Sequence, residues 1–358
     1  MSKPVVIYTD APWAWRSDKH LHSADIEHAV FEGKFDIRIL PRGATQIADG
    51  KLKEFVEGAV AMVIYRTQIT ADLLDAAGPD LQVVGRAGVG YDNLAPSLLE
   101  DRGIIGFNVP DYCVDEVVTH TMALLLAAER GIVQQHVSLA GGEFNIYAGT
   151  IPRRLFEHTA GIVGFGRIGR AVAPRLRMFY GQVVAFDPYV SGDLMAGYGI
   201  RKVGLDKLLT GCDTILVHCT LTSETNRMFG QAEFEKMKLG AYFVNAARGA
   251  LVQSKALHDA LINGPLAGAV LDVFAPENPW DDEWLSKIVV LPNVVVTSHR
   301  AFLSREAEMS QRRRVAEGIR HVLLEGQPPV CGHITVNMPP NSTRAARSHS
   351  AGGYDVGR

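Results

Sequence analysis

The sequence predicts an α/β protein with two doubly wound parallel-sheet domains, and three observations carry that expectation. Short apolar, β-branched runs alternate with helix-compatible stretches almost throughout, the pattern of parallel strands joined by covering helices. The alternation forms two complete series, separated by one long amphipathic stretch that begins at Val114. The chain has 358 residues, enough for two domains that each bury a core.

In the first series the strand candidates are PVVIYT, FDIRIL, VAMVIY, LQVVGR and IIGFN. Helical pieces such as SADIEHAVFEG lie between them, with Ser23 as N-cap. The stretch VDEVVTHTMALLLAAERGIVQQ reads as one helix joining the domains, and His120 inside it reads as structural. The second series is TAGIVGF, QVVAFD, DTILVHC, AYFVN, AGAVLDVF and NVVVTS. A charged helical run follows from about Ser304 to Glu325, in which Arg312 to Arg314 read as a solvated basic face. Residues 337–358 are polar and rich in Pro, Gly and Ser, and are read as a disordered tail.

Composition narrows the function. A formal net charge of −3 leaves no basic excess to attract nucleic acid or anionic lipid. There is no apolar run long enough to span a bilayer. MSKPVVIYTD enters a strand directly, without a signal-peptide core. Cys113, Cys212, Cys219 and Cys331 have neither metal-site nor disulfide-framework spacing. A reducing cytoplasm and no bound metal are the expectation.

GIVGFGRIG sets Gly164, Gly166 and Gly169 in the G-x-G-x-x-G pattern. Context gives the pattern its weight, because glycine supplies 35 of the residues. It follows an apolar strand, opens a helix, and is followed by a second strand ending in Asp187, 18 residues after Gly169. That is the arrangement of a Rossmann dinucleotide site, with the pyrophosphate at a helix N-terminus. Asp187, followed by Pro188, would accept bonds from the adenosine ribose and repel a 2′-phosphate, so NAD is the expected cofactor. The remaining cofactor contacts are placed at Arg167 and Ile168 on the opening turn of the helix and at His218, Cys219, Thr220 and Thr225 after the strand DTILVHC. Ala246, Ala247 and Arg248 after AYFVN, with Asp272 and His299, complete them.

Ligands of open parallel sheets bind beyond the carboxyl ends of the strands. That rule selects Arg248 after AYFVN, Glu277 after AGAVLDVF, and His299 after NVVVTS. A cation, a carboxylate and an imidazole from three successive strands suit reduction of a 2-oxo acid. The guanidinium would hold the carboxylate and polarise the C2 carbonyl. The imidazolium would give the proton, with the carboxylate orienting it and raising its pKa.

Together RAGVGYDN, NVPDYCVDEV, GIVGFGRIG, NAARG, LDVFAPENP and SHRAF resemble the D-isomer-specific 2-hydroxyacid dehydrogenases, over about Leu81 to His321. The texture is nearest the branch with phosphoglycerate dehydrogenases and C-terminal-binding-protein corepressors. The resemblance implies Arg248, Glu277 and His299 as the catalytic set, and N–H groups of Val89 and Gly90 on the substrate carboxylate. Arg86 in the same motif and Phe302 complete the expected substrate contacts. It also implies a flavodoxin-like substrate domain, 1–112 plus 300–336, into which the NAD domain 113–299 is inserted, and a homodimer through the NAD domain. Ser298, Thr220 and Arg300 depart from residues common in the family, and Arg300 puts the substrate in question. Glu277 argues against a formate dehydrogenase, which has Gln there. The competing class is an NADH-sensing scaffold with little turnover. The loop after the first strand carries Trp13, Trp15 and Arg16, read as lining a substrate cleft or packing beneath the loop.

Overall fold

The computed structural model describes residues 3–15, 23–40 and 49–335. Arg16, the side chain of Trp15 and the expected tail 337–358 lie outside the described residues. The chain divides into two compact units, the first made of residues up to Tyr112 and from Ser304 onward, the second of Cys113–Leu303.

The first unit is built on a parallel sheet of β1 (Val5–Tyr8), β2 (Asp36–Ile39), β3 (Ala59–Ile64), β4 (Val83–Arg86) and β5 (Ile105–Asn108), in the order β2-β1-β3-β4-β5. Side chains alternate across a sheet, so a strand covered on both faces reads as an unbroken apolar run. Val6, Val63 and Val83 pack on one face with Val315 and Ile319 of the C-terminal helix Arg305–Glu325. Ile7, Met62 and Val84 pack on the other with Leu73 and Leu74. After the C-terminal helix the chain lies along β5, where Asn108 N–H donates to Gly332 O (3.0 Å) and Ile334 N–H to Gly106 O (2.9 Å). Those bonds occupy backbone groups that an edge strand would leave open.

Two expectations are corrected here, for Arg312 and Ser23, and for Trp13 one of the two readings is selected. Arg312 belongs to no solvated face: it is 2% exposed, bonded through Nε to Glu27 (2.9 Å) and through Nη2 to Glu27 (2.6 Å), with its guanidinium 3.7 Å from the Trp13 ring centroid. Trp13 is correspondingly buried, and its indole N–H donates to the Tyr65 hydroxyl (2.9 Å), so it packs beneath its loop. Ser23 is not the cap of the helix Asp25–Phe31; Ala24 holds that position without a side-chain bond, and the Ser23 carbonyl accepts from Arg312.

The second unit carries β6 (Thr159–Val163), β7 (Gln182–Phe186), β8 (Arg201–Lys202), β9 (Thr214–Val217), β10 (Ala241–Asn245), β11 (Leu266–Leu271) and β12 (Val294–Val296). All are parallel, in the order β12-β11-β10-β9-β6-β7-β8. Every residue of β9 and β10 is buried. Strand β8, two exposed residues, carries no apolar signal and was not expected. The expected long helix is two helices, Val114–Glu129 and Ile132–Ala140, broken where Gly131 adopts the left-handed conformation. The boundary expected at residue 299 falls after Leu303, because the N–H groups of Arg300 and Ala301 bond to the Asp272 carboxylate of this unit.

Candidate active site

The order of the second sheet reverses between β6 and β9, which makes the carboxyl ends of those strands its switch point. The glycine-rich turn leaves β6 there and opens the helix Arg167–Leu176. Gly164 has φ +95°, and a Cβ on it would stand 2.4 Å from the backbone nitrogen of Cys219. A Cβ on Gly169 would stand 2.2 Å from the Gly164 carbonyl, so the helix packs directly on the turn. Gly166 faces open space, and as N-cap it leaves the first helical N–H groups without a side-chain acceptor. The opening, the bare N–H groups and the macrodipole fit a pyrophosphate.

Asp187 ends β7 and serves the same turn. One carboxylate oxygen accepts the Phe165 N–H (2.8 Å) and the other the Tyr189 N–H (2.9 Å). The carboxylate is thereby fixed beside the turn, with lone pairs left for ribose hydroxyls. Pro188 follows it on the surface, and the exposed Tyr189 donates its hydroxyl to Glu224 (2.6 Å), tying the loops after β7 and β9 together. The Thr225 hydroxyl donates to the Thr220 carbonyl (2.6 Å) and shapes the loop after β9. Burial pushes the Cys219 thiol up to about 11, so it stays neutral. His218 is half-buried as a residue, yet both ring nitrogens are covered and have no partner. Its pKa is accordingly lowered by burial, to about 4.

The strand ends on the other side of the switch carry the charged groups. Beyond β10, the buried Asn245 accepts the Ala247 N–H (3.1 Å) and donates to the Arg248 carbonyl (2.9 Å), folding the Ala246–Arg248 turn. A Cβ on Gly249 would lie 2.1 Å from the Phe274 carbonyl carbon, so the loops after β10 and β11 are in contact. Glu277 on the second of those loops pairs with Nδ1 of His299, which follows β12. Both side chains stay partly open to solvent, and the edge of the Phe302 ring meets the imidazole at 6.4 Å between centroids. With Nδ1 engaged by the carboxylate, Nε2 is the nitrogen left for proton exchange.

Asp272 holds this corner together. It is 1% exposed, and its carboxylate accepts the Thr297 hydroxyl (2.6 Å) and the N–H groups of Arg300 (3.0 Å) and Ala301 (2.9 Å), with His120 3.5 Å away. Burial alone would raise its pKa, but the bonds from His120, Thr297, Ala301 and Arg300 outweigh burial and lower it. The His299 N–H donates to the Asp272 carbonyl (2.7 Å), and His299 itself sits at φ +52°. Asp272, expected as a cofactor contact, therefore lies beneath the site and fixes its loop. The role of Asn245 was not foreseen, because an Asn at a strand end within NAARG gives no sign of its two bonds.

In the first unit, Arg86 ends β4 and Val89 and Gly90 follow on a half-buried loop. Among the described residues no cluster of His, Cys, Asp and Glu is suited to hold a metal ion, and no helix is long and apolar enough to cross a membrane.

The family model for the D-isomer specific 2-hydroxyacid dehydrogenase NAD-binding domain matches residues 122–301. The chain is 38% identical over 290 residues to a D-3-phosphoglycerate dehydrogenase of Archaeoglobus fulgidus, covering 80% of this chain and 53% of that protein. It is 40% identical over 277 residues to the Mycobacterium bovis protein of that name, covering 77% of this chain and 51% of that one. It thus spans about half the length of the curated relatives it matches. Among solved structures, the TT0316 protein of Thermus thermophilus superposes with a TM-score of 0.78 at 29% identity, covering 92% of this chain and 100% of that one. The chain belongs to the D-isomer specific 2-hydroxyacid dehydrogenase family.

Proposed function

We propose that the protein is an NAD-dependent dehydrogenase that interconverts a 2-oxo acid and a D-2-hydroxy acid. The observation that carries this reading is the Glu277–His299 pair at the carboxyl edge of the sheet that also bears the glycine-rich turn. The turn 164–169 and Asp187 hold NAD, which supplies or accepts the hydride at C2 when bound. His299 gives a proton from Nε2 to the forming alkoxide and takes it back in the oxidative direction. Glu277 fixes the imidazole tautomer and stabilises the imidazolium between the two. Arg248 holds the substrate carboxylate and polarises the C2 carbonyl. In the first unit the Val89 and Gly90 N–H groups bind that carboxylate, with Arg86 beside them, and Phe302 walls the substrate.

The names of the relatives make D-3-phosphoglycerate the first substrate to test. We read the apolar surface of Ile132, Val137, Leu139, Phe144, Ile146 and Tyr147, each more than half exposed, as covered by a second copy. The four described cysteines are all free, which suits the cytoplasm. The deciding experiment follows NADH consumption with a panel of 2-oxo acids, alongside NADH binding. Turnover with at least one acid is expected. Tight NADH binding without turnover on any of them would favour the scaffold reading.

A further inference from the structure

The loop that leaves β4 can be accounted for group by group. The Ala87 carbonyl accepts Arg86 Nη1 (3.0 Å) and Gln311 Nε2 (3.1 Å). The Gly88 carbonyl accepts the Val109 N–H (3.1 Å), and the Val89 carbonyl accepts Asn108 Nδ2 (2.5 Å). Three successive carbonyls are thus held by donors from the end of β5 and from the C-terminal helix. The N–H groups of Val89 and Gly90 have no partner among the described residues.

A trans peptide points its C=O and N–H in opposite directions. Holding the Gly88 carbonyl toward Val109 therefore turns the Val89 N–H the other way. Holding the Val89 carbonyl toward Asn108 does the same for the Gly90 N–H. Two adjacent N–H groups turned outward from one loop form a small anion-binding concavity. The side chain that fixes the Val89–Gly90 plane is itself nearly inaccessible, Asn108 at 3% exposed; Gln311 holds the plane before these two, whose Gly88 N–H is already bonded to the Arg86 carbonyl.

We infer that Asn108 is a positioning residue for substrate binding: it holds the Val89 carbonyl inward, beside the Gly88 carbonyl held by Val109, so that the Val89 and Gly90 N–H groups present a fixed pair of donors to the substrate carboxylate. The inference rests on the functional reading above. The Asn108 side chain does not touch the substrate. Its loss lets the Val89–Gly90 plane rotate, which weakens carboxylate binding and leaves the chemical step and NADH binding in place.

The test uses the full chain with Asn108→Ala and, as a milder change that is too short to reach the Val89 carbonyl, Asn108→Ser. Steady-state kinetics with NADH and the best 2-oxo acid are combined with calorimetric titration of the NADH complex with oxamate, a carboxylate mimic of a 2-oxo acid. In both variants KM and the oxamate Kd should rise together, at least about fivefold for a buried hydrogen bond removed. Turnover at saturation should stay within about threefold and the NADH Kd within about twofold. Should Asn108→Ala fail to fold, Asn108→Ser decides alone. Folded variants with unchanged KM and oxamate Kd would overturn the inference and leave the functional reading standing. A wild-type NADH complex that reduces no 2-oxo acid and binds no oxamate would overturn both.

Discussion

The carboxyl edges of the two sheets present chemistry in different ways. In the second unit the groups proposed to react are side chains, Arg248, Glu277 and His299, each placed by a short turn directly after its strand. In the first unit the groups proposed to meet the substrate are backbone N–H donors, and the side chain inferred to position them is buried behind them. The second edge is thus set by residues directly after their strands, the first by bonds between the loop after β4 and the end of β5, from Val109 to Gly88 and from Asn108 to Val89. The contrast teaches that motifs name the residues of both edges, whereas which buried partner turns a backbone donor outward is read only from the fold.

The largest effect should fall on the second edge. His299→Ala is expected to lower kcat by roughly 10²–10⁴-fold, the scale for losing a general acid, with little change in NADH affinity. Near-normal turnover would move the proton to another group.

A comparable loss on the first unit should be one of stability. Arg312→Met leaves Glu27, 0% exposed, as an uncompensated buried charge. Denaturant unfolding should register a loss of about 3–5 kcal/mol. Adding Glu27→Gln should restore part of it. If the single variant unfolds like wild type, the pair is not the anchor of the C-terminal helix.

These two predictions also mark how far the sequence was legible. The strands inside each sheet were, because both of their faces are covered and the apolar runs are continuous; the edge strand β2, with exposed Asp36 and Arg38 between half-buried isoleucines, was legible by its alternation instead. The strand-end trio and Asp187 were legible because the switch-point rule depends only on strand order and on the residues directly after each strand. The C-terminal helix was read incompletely. Its buried stripe runs Glu308, Gln311, Arg312, Val315, Ala316, Ile319 and Val322, spaced by three and four. Only the second half of that stripe is apolar. Arg312 turns inward while the neighbouring Arg313 is exposed, and its partner Glu27 lies 285 positions away. The period of Val315, Ala316, Ile319 and Val322, carried back one turn, was the one local sign that Arg312 faces inward. Asp272 was also read incompletely: its position after β11 suggested a ligand contact, but its carboxylate is taken up by the corner it supports.

A smaller effect tests the covered imidazole at the switch point. With His218 lowered from 6.5 to about 4 by burial, the unfolded chain takes up this proton first as the pH falls. Its contribution is therefore full above about pH 6.5 and is lost progressively toward pH 4, by up to about 3 kcal/mol. His218→Asn should flatten that part of the pH–stability curve. A variant that loses stability with the same slope as wild type would show that the imidazole is not kept neutral.

Smaller again is the cofactor effect. Asp187→Ser removes the carboxylate proposed to accept from the ribose and the bond to the Phe165 N–H. NADH binding should weaken roughly tenfold, the value of one or two such bonds, and the preference over NADPH should narrow. Unchanged discrimination would mean that another group reads the ribose.

The central claim is that this Arg-Glu-His edge and its bound nicotinamide act on C2 of a 2-oxo acid in the sense of the D-isomer family. The stereochemistry of the product tests it most directly. The wild-type chain, supplied with NADH and its best 2-oxo acid, should yield only the D-2-hydroxy acid on chiral chromatography; the L isomer as product would contradict the account.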